Sequence, residues 1–258
     1  MKHLIFGSYV SIQDGVYIDT SRSFNTPNKD VEFVSVPGRN GDLSFTNNRF
    51  ENVEVVFNCY IKSDFEANFG SFINKLYSLD GYQRLEVRED YAIPEYFRLA
   101  QFVSATEPVT GQYNEDAQFE LRFFCKPQKY FYYDESDPWT TVTSGLALNN
   151  PSYMTALPLF RVEKNGTLTI SYGDGQGGAA IVLRLTVSGA PTSGANRFTD
   201  IDSELRDAYW NNINRNANIS TDYDLNGTLF PVFQTKNATV VNFTGFTSVK
   251  VIPRWWKL

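Results

Sequence analysis

The chain has 258 residues, with 23 Lys and Arg against 29 Asp and Glu, a net charge of −6 and an aromatic share of 16%. So much aromatic surface cannot stay in water, which excludes a disordered chain, and the lack of a basic excess argues against a binder that works by neutralising nucleic-acid phosphates. The length allows one large or two modest domains, each able to build a core without disulfides or metal.

The opening stretch, MKHLIFGSYVSIQDG, has a short apolar run broken by Gly7 and Ser8 and followed by Asp14. It is not expected to act as a signal peptide, and no run approaches the ~20 apolar residues of a membrane helix. Two cysteines make no disulfide framework, so folding in a reducing cytoplasm is expected and the Asn-x-Ser/Thr triplets carry no glycosylation message. His3, the one histidine, falls on or beside the first predicted strand with no nucleophile signature around it.

Residues 52–61 alternate, placing Val53, Val55, Phe57, Cys59 and Ile61 on one face of a strand. Residues 117–126 do the same with Phe119, Leu121, Phe123 and Cys125. Both cysteines thus belong to apolar faces and read as buried thiols. Between these strands, Phe65, Phe69, Phe72, Ile73, Leu76 and Tyr77 recur at helical spacing and predict an amphipathic helix over 64–79. Ser63 and Glu66 fit a capping box at its start, and Gly81 is placed to end it. The helix is expected to close one side or mouth of the N-terminal sheet.

Charge divides unevenly, −7 over residues 1–135 and +1 over residues 136–258. The switch falls at Tyr132-Tyr133-Asp134-Glu135-Ser136-Asp137-Pro138-Trp139, and Asn149-Asn150-Pro151 adds a second punctuation mark. We therefore expect an N-terminal domain over 1–133, a linker over 134–149 and a second domain over 150–249. Leu168, Ile170 and Tyr172, then Ile181, Leu183, Leu185 and Val187, then Val249 and Val251 alternate between Gly, Asn, Ser and Pro clusters, which predicts a β-sandwich.

Four motifs in this half resemble chemical sites. Gly173, Gly175 and Gly178 match a dinucleotide loop, but the residues that follow read as strand rather than helix, so a hairpin turn is expected. Asp222, Asp224, Asn226 and Gly227 match half of a calcium loop whose twelfth position is Phe233 instead of Glu. Asp200, Asp202 and Glu204 form an acidic cluster that serves a cation only if the fold brings other ligands close. Tyr209 and Trp210, with Trp139, are the candidates for stacking on a saccharide, the alternative being that they pack in the core. No catalytic, cofactor-binding or metal-ligating residue is assigned.

The segment Val36-Pro37-Gly38-Arg39-Asn40-Gly41-Asp42-Leu43 is a Pro/Gly turn that holds an arginine between glycines. It resembles the Pro-Gly-Arg-x-Gly signature of siphophage distal tail proteins, the baseplate hub proteins of long-tailed phages. The helix at 64–79, the Asn149-Asn150-Pro151 entry to the second half, the block from Thr199 to Tyr209 and the ending Val251-Ile252-Pro253-Arg254-Trp255-Trp256 are similar to that family in order and spacing. The resemblance runs over essentially the whole chain.

It implies a mainly β protein with an N-terminal ring-forming domain carrying one amphipathic helix, and a C-terminal galectin-like β-sandwich. The last strand, about 250–258, is expected to return to the first domain. It also implies a homohexamer between the tail tube protein and the tail-associated tip protein. Receptor-binding or other baseplate proteins would attach around it, and DNA would pass through its lumen without specific binding. The place would be the virion tail tip, after assembly in the host cytoplasm, with no cofactor, membrane or enzymatic role. Pro37, Gly38, Arg39 and Gly41 would form a conformation-critical loop, Arg39 either reaching a neighbouring subunit or pinning its own turn. The chain has no room for the carbohydrate-binding modules inserted in longer relatives. A module that binds cell-wall saccharide through the second domain stays as the alternative, and a glycan-cleaving carboxylate pair as a further one.

Overall fold

The computed structural model describes residues 1–22, 26–62, 65–90, 92–110, 116–173, 179–225, 227–235 and 238–258. They divide into two compact units, Met1–Tyr132 with Leu258 and Tyr133–Lys257.

The first unit holds β1 (Lys2–Phe6), β2 (Tyr9–Val10), β3 (Val16–Arg22), β4 (Lys29–Val34), β5 (Leu43–Phe50) and β6 (Val53–Ile61). Helix α1 (Phe65–Tyr77) follows, then β7 (Gln83–Glu89), β8 (Tyr96–Ala105), β9 (Val109–Thr110) and β10 (Ala117–Phe131). Six strands run in the order β1-β3-β6-β10-β8-β7, and β7 pairs back onto β1 from Lys2 opposite Glu89 to Phe6 opposite Leu85. The sheet is therefore a closed barrel. Its thinnest seam is between β1 and β3, where Lys2 and Ile18 pair. Ser11, fully buried beside that seam, accepts from the Leu4 N–H at 3.0 Å and donates to the Val16 carbonyl at 2.9 Å. One side chain thus supplies bonds that the short ladder does not.

Alternation fills the barrel, since side chains at every second position point inward. Val53, Val55, Phe57, Cys59 and Ile61 on β6 and Phe119, Leu121, Phe123 and Cys125 on β10 are all buried in one core. Phe123 sits at its centre, with ring centroids of Phe6, Phe102 and Phe57 at 5.1, 5.4 and 5.8 Å. Both cysteines are free, Cys59 opposite Phe119 and Cys125 opposite Val53. Burial pushes both thiols up, that of Cys125 to about 12.

Helix α1 buries Phe72 and Leu76 in the same core, and Phe69 meets Phe119 edge-on at 4.9 Å. Lys75 ties it to Asp14 of the turn before β3 at 2.6 Å. The helix is shorter than the expected 64–79. Its end is held by Ser78, whose N–H reaches the Asn74 carbonyl and whose hydroxyl reaches that of Lys75. Gly81, at φ +71°, instead makes the turn into β7. Ser63 of the expected capping box lies outside the described residues.

The second unit contains β11 (Thr140–Thr141), β12 (Leu146–Asn149), β13 (Leu159–Glu163), β14 (Gly166–Gly173), β15 (Ala179–Val187) and β16 (Phe198–Asp202). It continues with β17 (Asp207–Trp210), β18 (Ile213–Asn214), β19 (Ile219–Asp224), β20 (Ala238–Thr244), β21 (Ser248–Ile252) and β22 (Trp256–Lys257). A six-stranded sheet, β11-β21-β13-β16-β17-β18, and a five-stranded sheet, β12-β20-β14-β15-β19, share one core. Leu168, Ile170, Leu183, Leu185, Val187, Val249 and Val251 point into it, following the predicted alternation. Part of the expected 134–149 linker is strand, because Thr140 pairs with Val251 and residues 146–149 pair along β20. At the chain end, Trp255 and Trp256 pack on the second core, whereas the Leu258 carbonyl accepts from Lys129 of the first unit at 3.1 Å.

Truncating Phe123 to Ala removes the ring that three others contact. We expect the first unit to lose about 3–5 kcal/mol in urea unfolding followed by aromatic fluorescence. A loss under about 1 kcal/mol would show that the barrel centre is not where the unit's stability resides.

Candidate functional site

Among the described residues, the ribbon of β4 and β5 pairs with no other strand. Two-stranded ribbons are marginal alone in water, and this one carries apolar groups on both faces. Its register sets Glu32 opposite Phe45 and Val34 opposite Leu43 on one face, with Val31 opposite Thr46 and Phe33 opposite Ser44 on the other. Phe33 is 67% exposed and Phe45 54%. At the base, Arg49 donates to Asp30 at 2.5 Å. Hydrogen bonds from Arg49 and then Asn47 hold the Asp30 carboxyl below its ordinary range.

At the tip, the Arg39 N–H donates to the Val36 carbonyl at 3.2 Å, closing a turn. Gly38 and Gly41 take φ of +81° and +79°, the left-handed region open to glycine at no steric cost. Pro37, Gly38, Arg39 and Gly41 are all exposed. The Arg39 backbone pins its turn, while its guanidinium pairs with no described residue.

The second unit assembles a different site. Arg161, Asp200 and Tyr209 stand side by side in register across β13, β16 and β17. Arg161 makes two 2.7 Å hydrogen bonds to the Asp200 carboxylate, and its guanidinium carbon lies 4.4 Å from the Trp139 ring and 4.9 Å from the Trp210 ring. Arg254 makes the matching pair with Asp202 at 2.7 and 2.8 Å. The Asp202 carboxylate, 2% exposed, also accepts from the Glu204 and Leu205 N–H groups. Burial opposes its charge, but Arg254 and those two donors outweigh burial and hold its pKa below the ordinary 3.8. Burial, with Asp202 and Asp200 nearby, raises the Tyr209 phenol.

The acidic cluster is thus matched by arginines. Asp200 and Asp202 each face a guanidinium, and Arg254 also lies 3.6 Å from Glu204. Among the described residues, no group of three or more His, Cys, Asp or Glu is placed to hold a metal ion. Trp139 and Trp210 share one guanidinium, and Trp210 also packs on Phe198 at 4.9 Å. The Trp210 Nε1 is buried without a hydrogen-bond partner. These contacts occupy ring surface that a sugar would need, and they fit the packing alternative.

The remaining motifs fall elsewhere. Residues 174–178 of the glycine loop lie outside the described residues, but the flanking β14 and β15 pair antiparallel, as a hairpin does. Asp222 pairs with Arg184, Asp224 accepts from the Leu229 N–H, Asn226 lies outside the described residues, and Phe233 is wholly buried in the second core. His3 is buried on β1 opposite Arg88, its Nδ1 without a hydrogen-bond partner.

Two features escaped the reading of the sequence. Arg84, Glu86 and Arg88 form a chain of ion pairs on β7, Arg84 to Glu86 at 2.5 Å and Arg88 to Glu86 at 2.7 Å, with Phe97 4.0 Å and Tyr132 4.8 Å from the Arg84 guanidinium. Their i, i+2, i+4 spacing on a strand was the available signal. Asn150 is the other. Its side chain bonds the Met154 and Gln234 carbonyls and the Ser152 N–H, so the expected boundary marker is a buried polar anchor.

No family model matches the sequence, and no curated protein matches it. Solved structures do match in fold. The Dit (gp 19.1) protein of phage SPP1, described as a paradigm of the hub adsorption apparatus in phages infecting Gram-positive hosts, superposes with a TM-score of 0.64 at 16% identity. The match covers 97% of each chain. A chain of the phage P2 baseplate in its activated conformation with calcium gives a TM-score of 0.54 at 8% identity, again over 97% of both chains. The same baseplate with strontium gives equal values. The mainly β fold is thus that of phage hub and baseplate proteins, over the full length.

Arg254→Ala strands a buried carboxylate, so we expect a loss of about 3–5 kcal/mol from the second unit at pH 7. The folded-state pKa of Asp202 is depressed, so its contribution is complete above 3.8 and fades as pH falls through the folded value. Urea unfolding of wild type and variant should therefore converge on acidification. A gap that persists unchanged in acid would assign the loss to packing of the arginine stem.

Proposed function

We infer that the chain is a structural hub subunit of a siphophage tail tip, without catalytic activity of its own. The observation that carries this is the full-length match to SPP1 Dit, a protein of a hub adsorption apparatus. The order of the sequence motifs supports the same reading independently. In this reading six copies form a ring between the tail tube protein and the tail-associated tip protein. Receptor-binding or other baseplate proteins attach around it, and DNA passes through the lumen. The chain folds and assembles in the host cytoplasm and leaves as part of the virion.

The ribbon is the contact we assign to a second copy. Both of its faces expose aromatic side chains that no strand of the same chain covers. Arg39 at its tip pairs with no described residue, and residues 1–135 carry a net −7, so a neighbouring copy offers carboxylates to receive it. The same acidic excess suits a lumen from which DNA must not be held back. Lys in place of lumen-lining acids should slow genome ejection, measured by dye release; unchanged ejection would remove the lumen assignment.

The decisive measurement is the mass of the purified chain by size-exclusion chromatography with light scattering, with negative-stain images. A six-fold ring at six times 29.4 kDa is expected. A strict monomer at high concentration would overturn self-assembly. Phe45→Ser and Arg39→Glu should each abolish the ring while leaving the thermal unfolding of the barrel within about 1 kcal/mol of wild type. Full assembly of both variants would move the contact away from the ribbon.

A further inference from the structure

We propose that Asn40, at the ribbon tip, is a site of spontaneous deamidation, and that the fold protects the chemically equivalent Asn165. Both residues precede glycine, as does Asn226, which lies outside the described residues; the missing side chain of glycine leaves the next peptide nitrogen open to attack the Asn side-chain carbonyl. What differs is what holds each amide. Asn40 and Gly41 are exposed, Gly41 lies at φ +79°, and a Cβ there would meet nothing within 4 Å. Among the described residues, no hydrogen bond engages the Asn40 amide.

Asn165 is fixed from both sides. Its Nδ2 donates to the Ala190 carbonyl and its Oδ1 accepts from the Ala190 N–H, both at 3.1 Å. Gly166 is enclosed as well, since a Cβ there would lie 2.4 Å from the Thr244 carbonyl oxygen and 2.7 Å from the Phe246 nitrogen. Gly166 also begins β14, paired with Val187. Rotating the Asn165 amide toward the Gly166 nitrogen therefore requires local opening of the second core.

The reaction balances with water as the one co-reactant. The Gly41 peptide nitrogen gives its proton to solvent base and attacks the Asn40 side-chain carbonyl carbon. A new C–N bond closes a five-membered imide, and the side-chain nitrogen, once protonated, leaves as ammonia. Water then opens either imide carbonyl, giving aspartate or isoaspartate with no change of oxidation state. Each product adds one negative charge beside Arg39. The segment from Ser35 to Leu43 holds Arg39 and Asp42 as its charged residues, so the tip passes from net zero to −1. Isoaspartate also lengthens the backbone by one atom in a turn set by Gly38 and Gly41. The effect on ring formation rests on the ribbon contact proposed above; the chemistry does not.

The test is peptide mapping by mass spectrometry of the intact purified chain, incubated at mildly alkaline pH below its unfolding temperature. We expect a gain of about one dalton to accumulate at Asn40 at least about tenfold faster than at Asn165, the order set by two hydrogen bonds that must first open. The ratio should collapse when the chain is incubated in urea, where both amides are free. Gly41→Ala should suppress conversion at Asn40, and Asn40→Gln provides the control if that variant disturbs the tip. Equal folded-state rates at the two positions, or none at Asn40, would overturn the proposal. Neither result bears on whether the chain forms a ring.

Discussion

Closure of the barrel is the constraint from which the rest of the first unit follows. An open sheet leaves two rows of unpaired backbone groups, and here the return of β7 to β1 removes them. The closure is uneven, long on the β7 side and short at β3, and buried Ser11 makes up the shortfall with two hydrogen bonds. Once closed, the barrel has room for one layer of inward side chains. Phe123, its neighbours and the apolar stripe of α1 fill that room. Phe33 and Phe45 lie outside that core, on a ribbon that pairs with no other described strand.

The second unit solves a different problem. Apolar contacts are non-directional, whereas Arg161 with Asp200 and Arg254 with Asp202 pair in one register only. A buried ion pair gains little net energy over apolar packing, because desolvation offsets most of the Coulomb attraction. Its effect here is on geometry. Each carboxylate is met by two donors of one guanidinium, which fixes β13 against β16 and the 253–255 segment against the turn after β16. Asp202 extends that order by capping the turn at Glu204 and Leu205.

Alternation made most of the fold legible. The faces of β6, β10, β14, β15 and β21 follow from period two, because burial decides each side chain's direction. The boundaries were less legible for local reasons. Ser78 ended α1 ahead of Gly81, and strands β11 and β12 lay inside a polar stretch that read as linker. The arginine pairs were hidden because their partners are 39 and 52 residues apart; charge pattern shows such residues but not which pairs the fold creates. The Pro37–Leu43 loop is found from its Gly and Arg spacing, and the structure adds what spacing could not, that its guanidinium pairs with no described residue. Trp139 and Trp210 are the counter-example. Their types left stacking on a ligand and packing both open, and the structure places an arginine against both rings, a contact the sequence did not show.

The two thiols have a further consequence. Cys59 and Cys125 face the same interior but stand six positions apart along the β6–β10 ladder, about 20 Å at the rise of a strand. No intramolecular bridge can span that distance, and none can reach another chain without opening the barrel. Burial raises both thiols, so neither is held as a reactive thiolate. While the barrel stays closed, the covalent state of the first core is therefore independent of the redox state outside it.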